Sequence, residues 1–443
     1  MTAELHQLQI SRLRSFALKG ARVALTSQIA KPLTMTVRGE SIVALEPPQS
    51  RHPPGAAIDL SGYIVLPGLI NAHDHLDFSL YPQLGHGPYP NWREWARDIY
   101  RPDESPVKEL LSVPREVRLW WGGIRNLLAG VTTVSQHDRP IPEVLERGFP
   151  VHVPPEYGWA HSTADAGEAA DRFSRTSRSW PFLIHVAEGT DAFAADEFER
   201  LCETVELDDR VALVHAVGLT ADQWERVRQQ NLGIVWCPLS NLFTLGRTLD
   251  IERIKSLGNV ALGTDSPLTA SGDLLDHIRF LHQSMRVPPA LLYLLVTRRA
   301  ASLLKLRHGE GRLASGCRAS FFAVRDRGAA PADSLVELKW SDVELVIEAG
   351  RIVLLAPELA ARLPGVFTRH LESLRINGTE RLIAAPVAEL IAQTSHSLGF
   401  PFKLAGREVG YGPRSRAEVE EPKRSPARCT PIVTRMSSET SLG

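Results

Sequence analysis

The chain has 443 residues, of which 43% are hydrophobic and 23% charged, as in an ordinary globular protein with two or three domains. Its 50 basic side chains are balanced by 51 acidic ones, so no excess of charge favours nucleic acid or an anionic membrane as a partner. Neither a long apolar run nor an apolar signal core near Met1 is present, so a cytoplasmic protein is expected. The scattered cysteines contain no Cys-x-x-Cys pair and indicate neither a disulfide framework nor a thiolate zinc site.

Residues 1–62 are predicted to hold the first part of a small β domain. Short apolar segments separated by Gly, Pro and polar residues are typical of strands. They are 16–19, 22–25, 33–37 and 41–45. Similar segments return at 319–324, 345–347 and 351–355. We predict that 309–356 completes the same domain, as a discontinuous β-sandwich.

Residues 63–308 alternate predicted strands with helices, which indicates parallel strands joined by right-handed crossovers. The predicted strands are 66–72, 131–136, 149–154, 182–186, 211–215, 233–236 and 260–263. The expected fold class is therefore α/β, with a distorted (β/α)8 TIM-like barrel. The chain between Val131 and His185 is short for three strand–helix units, so either one strand is missing or two strands are nearly fused.

The remainder of the chain is predicted to be helical and then disordered. Pro288–Leu306 is an apolar segment with proline near its start, which favours a helix. Residues 357–403 are predicted to be a helical C-terminal extension. Residues 404–443 are polar and lack periodicity, which is typical of disorder.

Six polar residues lie at or just beyond the carboxyl ends of the predicted barrel strands. They are His73, His75, His185, Glu188, His215 and Asp265. Each alone has a simpler explanation, such as a hydrogen-bonded core histidine or a helix-capping aspartate. In a (β/α)8 barrel, however, these strand ends meet at one face, where the catalytic groups lie. Because imidazole and carboxylate are ligands that suit Zn²⁺, six such residues at one face indicate a metal centre.

These motifs resemble those of the metal-dependent amidohydrolase superfamily. The resemblance covers about residues 20–355 and rests on Leu66-Pro-Gly-Leu-Ile-Asn-Ala-His73, Cys237-Pro-Leu-Ser-Asn241 and Leu262-Gly-Thr-Asp265. The pair His185-x-x-Glu188 is similar to that of the mononuclear branch, which contains S-adenosylhomocysteine deaminases, guanine deaminases and triazine hydrolases.

The resemblance implies one divalent metal ion, Zn²⁺ or alternatively Fe²⁺, held by His73, His75, His185 and Asp265. Many binuclear members of the superfamily use a carboxylated lysine as a bridging ligand. This chain has no lysine between Lys108 and Lys255, the part that holds every middle strand. One ion is therefore expected.

The resemblance also implies three catalytic residues: Glu188, His215 and Asp265. A carboxylate close to the metal can take a proton from water and return it to a leaving nitrogen, which is the role expected of Glu188. Asp265 is expected both to bind the metal and to accept a proton, and His215 to contact the bound water or substrate.

A long insertion after the first barrel strand, residues 77–114, is predicted to be a functional loop. It resembles a lid segment of nucleoside-type deaminases, in which a Trp is followed nine residues later by a Glu that binds the ring. Trp95 and Glu104 reproduce this spacing, and His161 resembles the second ring contact. All three are predicted to bind substrate; the alternative for Glu104 is a solvated position on the loop.

The predicted function is hydrolytic deamination of an amino-substituted N-heterocycle through a metal-activated water. An amidase or lactam hydrolase, a halide-displacing enzyme and a non-catalytic barrel are the alternatives. A small molecule is the expected partner, with neither nucleic acid nor membrane. The identity of the substrate and the oligomeric state are left open.

Overall fold

The computed structural model describes residues 15–48, 56–146, 148–163 and 166–411. Most of the predicted disordered tail, from residue 412 onward, lies outside this part of the chain. In the described ranges, no helix combines the length and the apolar character that crossing a membrane requires.

Eight strands precede the first helix of more than one turn. They are β1 (Ser15–Lys19), β2 (Arg22–Ala24), β3 (Ala30–Pro32), β4 (Thr34–Arg38), β5 (Ser41–Glu46), β6 (Ala56–Asp59), β7 (Tyr63–Pro67) and β8 (Leu69–Asp74). Four of them form a sheet in the order β5-β4-β1-β6.

The middle of the chain alternates helices and strands, as predicted. The elements are α1 (Trp92–Ile99), α2 (Val107–Ser112), α3 (Arg115–Leu128), β9 (Val131–Gln136), α4 (Pro142–Glu146), β10 (Gly158–Ala160), α5 (Ala166–Arg175), β11 (Phe182–Val186), α6 (Ala192–Thr204), β12 (Val211–His215), α7 (Ala221–Gln229), β13 (Gly233–Trp236), α8 (Pro238–Leu245), α9 (Ile251–Ser256), β14 (Val260–Leu262), α10 (Leu274–Met285), α11 (Pro289–Leu295) and α12 (Arg298–Leu303). The predicted helix at 288–306 is thus broken into two short helices around Thr297.

The parallel strands of this middle part are almost entirely buried, as strands covered by helices on both sides must be. Strands β10 to β14 form one parallel sheet in chain order, and β8 pairs with β9. Beyond β14, the backbone N–H groups of Thr264 and Asp265 donate to the carbonyl of His73, which brings the ends of β14 and β8 together. Within the described ranges the hydrogen-bonded ladders do not join into one closed barrel.

The short region between β9 and β11 contains an isolated bridge followed closely by β10. His152 forms a parallel bridge with Thr133 of β9, where its N–H donates to the Thr132 carbonyl at 2.8 Å. Residues 153–157 alone separate this bridge from the start of β10, and no helix lies between them.

The C-terminal part returns to β structure. Its elements are β15 (Phe321–Arg325), α13 (Pro331–Glu337), β16 (Leu345–Glu348), β17 (Arg351–Leu355), α14 (Pro357–Ala360), β18 (Glu372–Ile376), β19 (Thr379–Ile383), α15 (Val387–Leu398), β20 (Lys403–Leu404) and β21 (Arg407–Tyr411). A ten-stranded sheet in the order β20-β21-β18-β19-β17-β16-β15-β7-β2-β3 joins both ends of the chain. The predicted domain boundaries stay a prediction.

Two expectations from the sequence need correction. The first barrel strand begins at Leu69, because Tyr63–Pro67 pairs with β15 in the ten-stranded sheet. The change of sheet occurs at Gly68, where a Cβ would lie 2.1 Å from Thr132 Oγ1, so only glycine fits. The C-terminal extension is not purely helical, because β18 and β19 form a hairpin around Asn377-Gly378, and β20 and β21 extend into the predicted tail.

A buried ion pair fixes the end of β8, where the first two histidines lie. The carboxylate of Asp74 accepts hydrogen bonds from Arg125 and Asn126 of α3, and all three side chains are buried. Asp74 therefore points away from the barrel face, as alternation along the strand requires, and ties β8 to α3.

Replacing the cation of this pair is expected to destabilise the fold strongly. Arg125→Met leaves the Asp74 carboxylate buried without its cation, which costs about 3–5 kcal/mol. Arg97→Ala is the matched control, because Arg97 and its partner Glu94 are 60% and 44% exposed and such a pair contributes about 1 kcal/mol or less. Urea denaturation followed by circular dichroism measures both; an equal effect of the two substitutions would contradict the expectation.

Candidate active site

The structure brings together all six polar residues predicted at the strand ends. His73 and His75 lie on and just after β8, His185 on β11 and His215 at the end of β12. Glu188 and Asp265 follow β11 and β14 by two and three residues. All six are buried, with at most 9% of each residue exposed.

The nitrogen and carboxylate atoms of this cluster converge. The Nε2 atoms of His73 and His75 each lie 3.5 Å from Asp265 Oδ1, and His185 Nε2 lies 3.2 Å from His73 Nε2. His215 Nε2 is 3.5 Å from Glu188 Oε2 and 4.0 Å from Asp265 Oδ2. These separations are those of donors around a shared cation rather than of an ordinary hydrogen-bond network.

Neighbouring groups hold the proton on the far nitrogen of two imidazoles. His185 Nδ1 donates to the His161 carbonyl at 2.6 Å, and His215 Nδ1 donates to Asn241 Oδ1 at 2.7 Å. In each ring the Nε2 lone pair is therefore left to face the cluster. Because these donors fit and face one another closely, the residues present suit a divalent metal ion.

The carboxylate of Asp265 is held by two hydroxyls on the side away from the histidines. Ser240 Oγ and Thr269 Oγ1 donate to its Oδ2 at 2.6 and 3.1 Å. Both Asp265 and His215 have positive φ, 58° and 71°, which is uncommon for residues other than glycine. Such backbone strain is typical of residues whose placement matters for function.

Burial dominates the electrostatics of the cluster. It lowers the pKa of His73 to about 4, which keeps this imidazole neutral, the form that can bind a metal. Burial also raises the pKa of Glu188 well above its usual range, with a contribution from the negative charge of Asp265. Burial opposes the charge on Asp265 too, but a hydrogen bond from His73 and the surrounding histidines outweigh it and hold its pKa well below the usual range.

A further histidine belongs to the cluster but was not predicted. The ring of His137, just after β9, lies 4.3 Å from that of His185 and 4.8 Å from that of His73. Its Nε2 donates to the Ala160 carbonyl at 3.1 Å, and its buried Nδ1 has no partner among the described residues. The signal was present in the sequence, because His137 directly follows a predicted strand.

The cluster forms the floor of a cavity of about 460 Å³. Trp95 and His161 line this cavity, where the sequence predicted substrate contacts. Glu104 does not: its side chain is exposed and lies outside the lining, which is formed nearby by Val107 and Leu111 of α2. The spacing from Trp95 placed Glu104 in the correct loop but could not determine the direction of its side chain.

The chain is similar in sequence to several known proteins. A model of the Amidohydrolase family matches residues 145–354. A 5-methylthioadenosine/S-adenosylhomocysteine deaminase from Pyrococcus furiosus is 24% identical over 52% of the chain and 65% of its own length. The deaminase of the same name from Thermococcus sibiricus is 24% identical over 67% of the chain and 84% of its length. The chain thus spans about two thirds of the first relative, and about half (49%) of one from Pyrococcus horikoshii.

Solved structures share the fold. An atrazine chlorohydrolase from Arthrobacter aurescens complexed with zinc has a TM-score of 0.64 at 17% identity and covers 86% of this chain and 100% of its own. An adenosine deaminase from Xanthomonas campestris with bound zinc has a TM-score of 0.62 at 17% identity and covers 86% and 97%.

The α/β architecture is that of the TIM-like barrel fold shared with these structures. Over residues 145–354 the chain is similar to the amidohydrolase family. The proteins that it resembles include deaminases and a chlorohydrolase, as the sequence motifs predicted.

The hydrogen bond from His215 to Asn241 allows a test of whether the orientation of the His215 ring matters for the site. Asn241→Leu removes the acceptor that orients the His215 ring, and loss of such a partner is expected to lower metal affinity or activity about 10–100-fold. Asn259→Leu is the control, because Asn259 bonds the Asn231 carbonyl on an outer loop. Metal competition with a chromophoric chelator and initial-rate assays measure the effect; an Asn241→Leu protein equal to the control would contradict it.

Proposed function

We propose that this protein is a mononuclear zinc hydrolase that removes an amino group from an N-heterocycle and releases ammonia. The observation that carries the proposal is the buried carboxylate of Glu188, which faces His215 at 3.5 Å among two adjoining groups of buried side chains that could hold a divalent metal ion. The names of the deaminase relatives and the zinc in the related structures support it.

The proposed ligands are His73, His75, His185 and Asp265, with His215 beside them. A bound Zn²⁺ would supply Lewis acidity and a water whose pKa is lowered to about 7. The neutral imidazoles and the ionised Asp265 match the needs of such an ion. A carboxylated lysine is not available, because no lysine occurs between Lys108 and Lys255.

Glu188 is proposed to carry the proton through the reaction. Burial alone favours its protonated form, and a bound divalent cation would favour the ionised one. The ionised carboxylate takes one proton from the attacking water, whose oxygen forms a bond to the ring carbon that bears the amino group. The electron pair displaced from the ring C=N bond is held on the ring nitrogen. Glu188 then returns the proton to the amino nitrogen.

The second half of the reaction restores the ring. The pair on the ring nitrogen re-forms the C=N bond, and the exocyclic C–N bond breaks with its electrons on the leaving nitrogen. One water is consumed and one ammonia leaves, while the ring keeps a hydroxyl that is tautomeric with a carbonyl. His215 and Asp265 hold the reacting oxygen and Glu188 in place.

We also infer that the parallel strands form a distorted eight-stranded barrel, in which the bridge at His152 stands for the third strand and β10 for the fourth. The parallel pairing of β8 with β9 and of β10 through β14 supports this arrangement, as do the N–H groups after β14 that donate to His73.

The function is tested by a screen for ammonia release from amino-substituted purines, pyrimidines, pterins and triazines. The Glu188→Gln protein should fold and keep its metal, but its kcat should fall about 10²–10⁴-fold because proton transfer is lost. Glu203→Gln, at an exposed position on α6, is the control and should keep wild-type kcat. Halide release from chlorotriazines without ammonia, amide hydrolysis alone, or full turnover by Glu188→Gln would overturn the proposal.

The metal assignment predicts one tightly bound equivalent of zinc per chain. His73→Ala should lose this metal, since it removes a buried nitrogen at the centre of the cluster. His396→Ala, at an exposed position of α15, should retain it. Plasma mass spectrometry after dialysis gives the stoichiometry, and two tightly held ions per wild-type chain would contradict a mononuclear site.

A further inference from the structure

The two ends of the active-site cavity differ in chemistry. Its floor carries the polar groups of the strand ends, together with Ser162, Ser266 and Thr269. Its outer wall is formed mainly by one continuous stretch, residues 78–111, which contributes only apolar and aromatic side chains to the lining. We call this stretch the lid segment.

The polar atoms of the lid tryptophans are already used within the protein. Trp95 Nε1 donates to the Leu84 carbonyl and Trp92 Nε1 to Glu197 Oε1, each at 2.9 Å. Both residues therefore offer ring surface to the cavity and no free donor. The Tyr81 hydroxyl is buried and has no partner among the described residues, and Tyr100 brings a second hydroxyl at the exposed edge, so this wall offers two hydroxyls for a ligand.

The lid segment is held in place from two sides. The N–H of Trp92 donates to the Glu188 carbonyl at 3.0 Å, and Asn91 Nδ2 donates to Asp191 Oδ2 at 2.7 Å, which anchors the start of α1 to the loop after β11. Ser112 Oγ, at the end of α2, donates to the Ser397 carbonyl of α15 at 3.2 Å. The apolar wall is therefore part of the packed structure and is formed before a ligand arrives.

At the mouth of the cavity the lid segment leaves apolar surface exposed. Tyr100 is 70% exposed and Leu111 45%, and both line the cavity. Clustered exposed apolar side chains at the opening of a pocket are typical of surface that a ligand covers.

We propose that the substrate carries a bulky apolar substituent on its amino-heterocycle, that this substituent binds against the lid segment, and that Trp95, Ile99 and Leu111 select for it. This inference rests on the proposed function, since the heterocycle is placed by its amino group at the metal-binding floor. A hydroxylated substituent such as a ribosyl group is disfavoured, because its hydroxyls and ring oxygen would lose water against a wall whose polar groups for a ligand are the two hydroxyls of Tyr81 and Tyr100.

The test compares binding of matched probes to the Glu188→Gln protein loaded with zinc, so that no turnover is needed. One pair is 9-cyclopentyladenine and adenosine, which both carry a five-membered ring on the purine; adenosine adds a ring oxygen, two ring hydroxyls and a hydroxymethyl group. The second pair is a diaminotriazine with a cyclopentylamino or a dihydroxypropylamino group. Isothermal titration calorimetry should show that the apolar member of at least one pair binds about tenfold more tightly, or better.

Substitutions in the lid should change this preference. In the Glu188→Gln background, Leu111→Gln is expected to reduce the ratio of affinities about threefold, because it places an amide against the substituent. Leu111 is half exposed, so the variant should fold. Leu25→Gln is the control, at a similarly exposed leucine (39%) that follows β2 and lies outside the cavity lining, and it should leave the ratio unchanged.

The outcomes separate this inference from the proposed function. Equal binding within both pairs, preference for the hydroxylated members, no binding of any probe, or a ratio unaffected by Leu111→Gln would overturn the role of the lid segment. Ammonia release by the wild-type enzyme would still support the deaminase function in those cases. Conversely, selective binding of the apolar probes without ammonia release from any heterocycle would support the lid preference and overturn the function.

Discussion

The burial of several imidazoles and two carboxylates in one small volume is the constraint on which the rest of the structure depends. Such a cluster is costly in the absence of a cation, because each charged group loses its hydration and each bare nitrogen lacks a proton donor. Hydrogen bonds from neighbouring groups reduce this free-energy cost. The His161 carbonyl and Asn241 orient two of the rings, and Ser240 and Thr269 satisfy the far side of Asp265. The parallel strands serve to bring these groups to one face.

The same constraint explains why much of the site was predictable from sequence. A polar residue at the end of one buried apolar strand can have a purely structural role. When polar residues occur at the ends of several such strands, a shared site is the simpler explanation, and this rule located His73, His185, His215 and Asp265. Applied to the strand Val131–Gln136, it would also have located His137. The histidine was missed because it had no counterpart in the family motifs used for comparison.

Other features were less accessible because the signals that determine them are not periodic. In the lid segment, Glu104 lies in the bend before α2 with its side chain exposed, and a spacing of nine residues from Trp95 did not determine that direction. The hairpin of β18 and β19 had a local signal, since Asn377-Gly378 adopts positive φ at both residues, as a tight hairpin turn requires. The absence of a helix between the bridge at His152 and β10 was visible in the sequence only as a shortage of residues, which could not reveal where the chain was shortened.

The origin of the cavity wall in one uninterrupted segment has a consequence for how proteins with this fold diversify. The strand ends supply the reacting groups and come from distant parts of the chain, whereas the apolar wall comes mainly from residues 78–111. Replacement of the lid segment alone would change which ligands the cavity accepts and would leave the strand ends in place. The range of ligands and the groups at the strand ends are thereby encoded in different parts of the gene. Recombination that replaces one short region can therefore produce a new specificity while the strand ends stay unchanged.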